Sequence, residues 1–195
     1  NKPSRSLVLF WVINHSCAGT LAAVVIAWTR YHGSLYERSW SSMSSSAVML
    51  YTVEILVCVL CMVALYDLQI YVFHRLCHRF KWMYRHIHKQ HHENVAPSGV
   101  YDSIYGDAFE GTLVASFAIC QMMIFKLPCS SVALFLFLIS VFVQFNHSGR
   151  KVEIPYIYTA RFHHYHHLRY KVNFAEHLMI WDYLFGTLFL PESYA

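Results

Sequence analysis

The chain has 195 residues, one domain's worth, and is 56% hydrophobic but only 13% charged. A water-soluble domain carries about 25% charged residues, so the deficit argues against an ordinary soluble fold and makes lipid part of the solvent. The net charge is +4; with no basic stripe and no nucleic-acid motif, a nucleic-acid partner is not expected.

A membrane-crossing helix needs about 20 mostly apolar residues. Leu7–Trp28 is the first such run, interrupted by Asn14, His15 and Ser16, and Ala47–Phe73 is the second and clearest. Thr112–Phe125 and Val132–Phe145 are shorter, and Lys126–Ser131 between them reads as a tight turn in which Pro128 ends any helix. These two runs are expected to form a hairpin that dips into or crosses the bilayer. After them, Phe174–Leu190 alternates apolar and polar residues. Its Trp181, Tyr183 and Phe185 suggest a helix lying in the interface, as a lid over a site or as plain packing.

The expected fold class is therefore an all-α integral membrane protein, one domain over residues 1–195, with about four hydrophobic helices. Charge sets its orientation. With the N-terminus cytosolic, Arg30, Arg38 and Lys126 fall outside, and the other twelve of the fifteen lysines and arginines fall in the cytosol. Segments 74–110 and 146–195 then meet as a helical, histidine-rich cap on the cytosolic face. The sequence opens on Asn1 and shows no signal-peptide n-region or cleavage site.

Five of the six cysteines lie in or beside apolar runs, and Cys77 sits among histidines, which is not a secreted disulfide framework. Cys58 and Cys61 read as buried structural thiols within a helix. Asn14 and Asn146 begin glycosylation sequons that this topology leaves unused.

Twelve of the fourteen histidines lie from His74 onward. They form His74-x-x-x-His78, His88-x-x-His91-His92 and His163-His164-x-His166-His167, with His147 alone between the last two. Residues three and four apart share a helix face, so each group is expected to aim its imidazoles at a single point. Imidazole suits zinc, copper, iron and nickel. Eight clustered ligands plus His147 exceed what one tetrahedral ion uses, so two metals are the economical reading.

Asp67 lies almost on the helical line of His74 and His78. It either orients a ligand imidazole from behind or ends a polar strip. His164 is open between ligand and supporting residue. His15, His32, His86 and His177 read as ordinary core or surface residues, and Glu54 has no assigned role.

The order of the three histidine groups among apolar spans resembles the fatty acid hydroxylase/sterol desaturase superfamily, over about 125 residues from Asp67 onward. Three stretches look like its methylsterol monooxygenases: His88-Lys-Gln-His91-His92-Glu93 with Ala96-Pro97 and Gly99; Asn146-His147-Ser148-Gly149 with Ile154-Pro155; and Arg161-Phe162-His163-x-Tyr165-His166-His167 with Trp181-Asp182-x-Leu184-Phe185-Gly186-Thr187. The chain departs from that pattern at His164, where an acid is usual, and at Asp107-Ala108, where a histidine and proline usually precede the glutamate. Tyr105–Gly111 is also similar to sphingoid-base C4-hydroxylases.

The resemblance implies an endoplasmic-reticulum membrane enzyme with a cytosolic, non-haem di-iron centre that uses O2. It implies electrons from NAD(P)H through cytochrome b5, and zinc could replace iron in purified protein. The implied substrate is a lipid, with a sterol ring methyl favoured and a sphingoid base or fatty acyl chain as the alternative. Asp107 or His164 would complete the ligand set in place of the missing histidine. A membrane metal transporter is the competing class, and the position of the clusters beyond the ends of the spans argues against it. A non-catalytic assembly protein is the third reading, opposed by the intact clusters.

Overall fold

The computed structural model describes residues 20, 23–94, 99, 102–150 and 152–190. Most of the first apolar run, Ala96-Pro97 and the Asn14 sequon lie outside these residues. Residues 23–31 are helical (α1).

The organising element is α2, Ser45–Arg79, a continuous helix of 35 residues. Its N-terminus is capped by the Ser44 side chain, which accepts the Ala47 amide, and its interior has neither glycine nor proline to break it. At 1.5 Å per residue it is about 52 Å long, whereas the hydrocarbon layer takes up about 30 Å. The surplus carries the helix past the predicted end of the span at Phe73, so His74 and His78 stand on its last turns.

Tyr51, Ile55, Val59, Met62, Tyr66 and Ile70 recur at helical spacing and are buried. Their partners are Ala118 and Met122 of α4 (below) and Val132, Phe135 and Ile139 of α5. The opposite face of α2 leaves Leu50 and Leu60 66% and 69% exposed. An apolar face of that size is unsustainable in water and natural in lipid.

Beyond α2 the chain makes one turn of helix, α3 (Lys81–Met83), a π-helical turn at Tyr84–His88 and a 3-10 turn at His91–Glu93. α4 (Ala108–Ile124) and α5 (Cys129–Asn146) follow one another across a short connection at 125–128, and both pack against α2. Of the described helices, α2 and α5 are long and apolar enough to cross a membrane, and α4 is shorter. Pro128, with no N–H to donate, stands at the N-cap of α5. The all-α expectation is modified by one short ladder in which Leu35–Tyr36 (β1) pairs in parallel with Leu127–Pro128 (β2). Beside it, Glu37 accepts from the Ser130 amide and hydroxyl and from Tyr51, tying the start of α5 to α2. Glu54 joins this end too, paired with Arg38 at 3.2 Å.

α6 (Ala160–Arg169) carries the third histidine group, and α7 (Ile180–Leu184) is a short helix near the C-terminus. The single interfacial helix expected over Phe174–Leu190 does not form. Residues 173–178 are irregular, and α7 docks on α2 through the Trp181 indole, which donates to the Ala64 carbonyl at 3.2 Å. Gly186, at φ 69°, ends α7. Only a residue tolerant of the left-handed region lets the chain turn back here, so that the Thr187 amide reaches the Asp182 carbonyl at 2.8 Å. Of the paired thiols, Cys61 is exposed on the outer face of α2, contrary to the buried reading, and Cys58 packs against the core.

Candidate metal centre

Three segments and the end of α5 deliver histidines to one place. His74 and His78 come from α2, His88, His91 and His92 from the π and 3-10 turns, His163, His166 and His167 from α6, and His147 from the C-cap of α5. All are buried except His78 and His91, which are partly so.

The ring orientations follow from what each Nδ1 touches. His74 Nδ1 lies 2.7 Å from the Phe174 carbonyl, His91 Nδ1 3.2 Å from that of Tyr105, His147 Nδ1 2.9 Å from that of Val143, and His166 Nδ1 2.8 Å from that of Val172. A carbonyl only accepts, so these Nδ1 atoms carry the proton and the Nε2 lone pairs face inward. His88 Nδ1 meets Glu110 Oε1 at 2.5 Å.

Inside, the Nε2 atoms crowd together. His92 Nε2 is 3.1 Å from His78, 2.9 Å from His88 and 3.1 Å from His166. His91 Nε2 is 3.3 Å from His163 and 3.1 Å from His167, and the last two are 2.8 Å apart. Lone pairs aimed at one another at these distances repel. A cation between them removes the repulsion. Nitrogens at about 2.0–2.1 Å from a common ion are separated by about 2.9 Å at right angles and about 3.4 Å in a tetrahedron, which is the spread observed. Two sets result: His74, His78, His88, His92 and His166; and His91, His163 and His167. His147 stands beside the second set, 4.3 Å from His163 between ring centroids, with its Nε2 buried and unpartnered. The donor set fits two ions that accept imidazole.

The partition corrects one expectation. The three histidine groups do not each converge on one point. Residues four apart stay together, as in His88 with His92 and His163 with His167. The residue at i+3, His91 or His166, crosses to the other set. On a helix i+3 and i+4 point about 100° apart, enough to serve two neighbouring ions.

Electrostatics keep the rings neutral. Burial, and then the charge of neighbouring imidazoles, holds His88, His163 and His166 well below the ordinary histidine range. The same causes push His147 down to about 3 and His167 to about 2. Neutral imidazole is the form that binds metal. The His88–Glu110 contact is therefore a hydrogen bond to a neutral ring rather than an ion pair.

Other expected residues lie elsewhere. Asp67 does not touch a ligand imidazole. It is fully buried and accepts the amides of Glu176, His177 and Leu178, together with His177 Nδ1 at 3.1 Å. Asp107 caps α4, accepting the Phe109 amide at 2.8 Å, and is outside both histidine sets. His164 is likewise in neither set.

His177, read from the sequence as ordinary, is completely buried against Asp67. Burial opposes its charge, but the hydrogen bond to Asp67 and that residue's charge outweigh burial and hold the imidazole above its ordinary value. Glu110 was the missed supporting residue. Its sequence signals were its match to the glutamate of the family pattern and its place three residues after the Asp107 cap, where a glutamate usually serves the helix start. The Asn146 amide donates to the Glu176 carbonyl, so the sequon's side chain is engaged inside the fold.

The fatty acid hydroxylase family profile matches residues 58–187. Cholesterol 25-hydroxylase of Mus musculus is 30% identical over 153 residues, covering 72% of this chain and 49% of the relative. Methylsterol monooxygenase 1 of Gallus gallus is 32% identical over 126 residues, 60% of this chain and 41% of the relative. Sphinganine C4-monooxygenase 2 of Arabidopsis thaliana is 29% identical over 132 residues, 63% of this chain and 50% of the relative. The chain spans about half the length of the curated relatives it matches. No solved structure matches it.

Proposed function

The chain belongs to the fatty acid hydroxylase family, and on that premise we propose that it is a membrane oxygenase that oxidises an unactivated C–H bond of a lipid. The observation that carries this reading is the convergence of eight Nε2 atoms, in two sets, on two points. Two iron ions there would supply O2-dependent C–H oxidation, with electrons from NAD(P)H through a cytochrome b5-type donor. His74, His78, His88, His92 and His166 would hold one ion, and His91, His163 and His167 with His147 the other. Nδ1 partners fix the His74, His88, His91, His147 and His166 rings, which would hold those donors in place around an ion. Burial excludes water from the ligands. Zinc is expected in some purified samples, since imidazole suits it well.

The topology belongs to the same proposal. Four apolar segments near 7–28, 47–73, 112–125 and 132–145 cross or enter the endoplasmic-reticulum membrane, and the histidine cap faces the cytosol. A lipid enters from the bilayer with its reactive carbon at the projecting end of α2. The favoured substrate is a sterol, oxidised at a C-4 methyl group; two of the relatives above are named for sterol oxidation. Hydroxylation of a sphingoid base is the second reading, favoured by the sphinganine monooxygenase match and by Tyr105–Gly111.

Purified protein reconstituted in lipid is expected to contain two transition-metal ions per chain and, with iron and a reducing system, to consume O2 only when substrate is present. Fewer than two ions at saturation would refute the two-ion centre. Lipid profiles of cells lacking the protein decide the substrate. Accumulated 4-methylsterols support the first reading. Unchanged sterols with lost hydroxylated sphingoid bases replace it with the second.

A further inference from the structure

One stretch of backbone contributes no ligand yet touches both the cluster and two buried carboxylates. Five successive amides, Phe174 to Leu178, donate into Asp182 and Asp67. Phe174 and Ala175 reach Asp182 at 2.9 and 2.7 Å. Glu176, His177 and Leu178 reach Asp67 at 2.9, 2.8 and 3.0 Å. Asp182 also accepts from the Tyr158 and Thr187 hydroxyls at 2.7 and 2.6 Å, and Asp67 from His177. Both aspartates are completely buried. A buried carboxylate is costly unless its oxygens are filled with donors; here each is filled, mostly by backbone.

The carbonyl that opens this stretch, and one two residues before it, serve the cluster. Val172 accepts from His166 Nδ1 and Phe174 from His74 Nδ1, at 2.8 and 2.7 Å. The C=O of one residue and the N–H of the next belong to a single planar trans peptide and point in opposite directions, so the Phe174–Ala175 peptide is held from both sides: its N–H, from Ala175, donates to Asp182 and its carbonyl, from Phe174, accepts from His74. We propose that Asp67 and Asp182 are positioning residues for the first histidine set. By pinning residues 174–178 they fix the Phe174 carbonyl and with it the direction in which the His74 ring presents Nε2. The second set takes its orientation from the Tyr105 and Val143 carbonyls instead, so the effect is confined to one of the two sites. This rests on the two-ion reading above.

The test is Co2+ binding to the purified full chain, read by visible absorption and by metal per chain, in two backgrounds. His163→Ala with His167→Ala leaves the first set, and His78→Ala, His88→Ala and His92→Ala together leave the second. Replacing a group that orients a metal-bound histidine weakens metal binding about 10- to 100-fold. That loss is expected for Asp67→Asn and for Asp182→Asn where only the first set remains, with less than about a twofold change where only the second remains. Equal weakening in both backgrounds, or none in either, overturns the proposal.

If either aspartate variant fails to fold, Tyr158→Phe and Thr187→Val decide. Each removes one donor from Asp182 and is expected to weaken the first set alone, by severalfold. Equal loss at both sets, or no loss, overturns the proposal here as well. An unsubstituted chain that binds fewer than two Co2+ ions refutes the two-ion reading itself, a result distinct from either.

Discussion

The two histidine sets share the turns at 84–93 and α6, but only the first also draws on α2, and they are supported differently. The first has five imidazoles, and its rings lean on Glu110 and on the carbonyls of Phe174, 100 residues from His74, and of Val172, 6 residues from His166. The second has three imidazoles with His147 adjoining, and its rings lean on Tyr105 and on Val143, within the same helix as His147. The first site is thus crowded and tied to the C-terminal segment. The second has fewer protein ligands and is tied to the segment before α4 and to α5. A metal with open positions is the one that can meet O2 and substrate, which makes the second site the candidate for that role.

The largest expected effect tests this partition directly. His166→Ala and His163→Ala lie three residues apart on one helix, yet each should damage a different site. Both should abolish lipid oxidation, because each removes a ligand from a paired centre. His166→Ala should leave the Co2+ signal of the second set intact, and His163→Ala that of the first. Identical metal loss in the two variants would mean that i+3 and i+4 residues do not separate as the geometry has them.

That separation marks where the sequence stopped being informative. The two H-x-x-H-H groups and the H-x-x-x-H group pointed to the eight histidines that the structure gathers, and the apolar run Ala47–Phe73 to the long helix α2. The division into two sets depends on how α6 crosses the His88–Glu93 turns, and those turns are π and 3-10 rather than α. No local pattern announces either. Asp67 was visible as a buried acid near a ligand line, but its partners lie 109 to 111 residues downstream and are mostly backbone amides, which carry no side-chain signature. The W-D-x-L-F-G-T motif was legible as a motif. Its physical role, an aspartate filled by donors and a left-handed glycine that returns the chain to it, needed the fold.

A second test uses acidity and is intermediate in size. His88, His91, His92, His147, His163, His166 and His167 are all held below their ordinary value of 6.5, chiefly by burial. In the unfolded chain they take up protons near pH 6.5, while in the folded chain they do not. The stability of the metal-free protein is therefore full above that pH and falls as pH drops through it, by about 1.4 kcal/mol per pH unit for each proton taken up. His177 has the opposite sign, since its raised value favours the fold at low pH and that contribution fades as pH rises. His74 and His78 are lowered as well, while burial raises the Glu110 and Glu176 carboxyls, which act with His177, so nine groups against three set the net direction. Thermal midpoints of metal-free protein should fall steeply from pH 6.5 to 5, and those of Co2+-loaded protein should fall less until protons displace the ion. A flat or rising profile over that range would show that the rings are solvated rather than buried.

The smallest effects belong to the two residues that sequence alone offered as extra ligands. Asp107 stands where the family pattern would place a histidine near the glutamate, and a carboxylate there could have completed either shell. Its Oδ1 instead accepts the Phe109 amide, one of the donors that the first turn of α4 leaves without an intrahelical partner. Asp107→Ala should then cost about 1 kcal/mol of stability, the usual value of a lost N-cap, and leave two Co2+ ions bound with unchanged absorption. His164 shares α6 with three ligands but sits in neither set. Its position directly after His163 turns it about 100° around the helix, away from the ring that meets His91 and His167. His164→Ala should therefore alter neither metal content nor the split between the sites. Loss of one ion in either variant would reassign that residue to a coordination shell, and the site it emptied would show which of the two sets had been counted one ligand short.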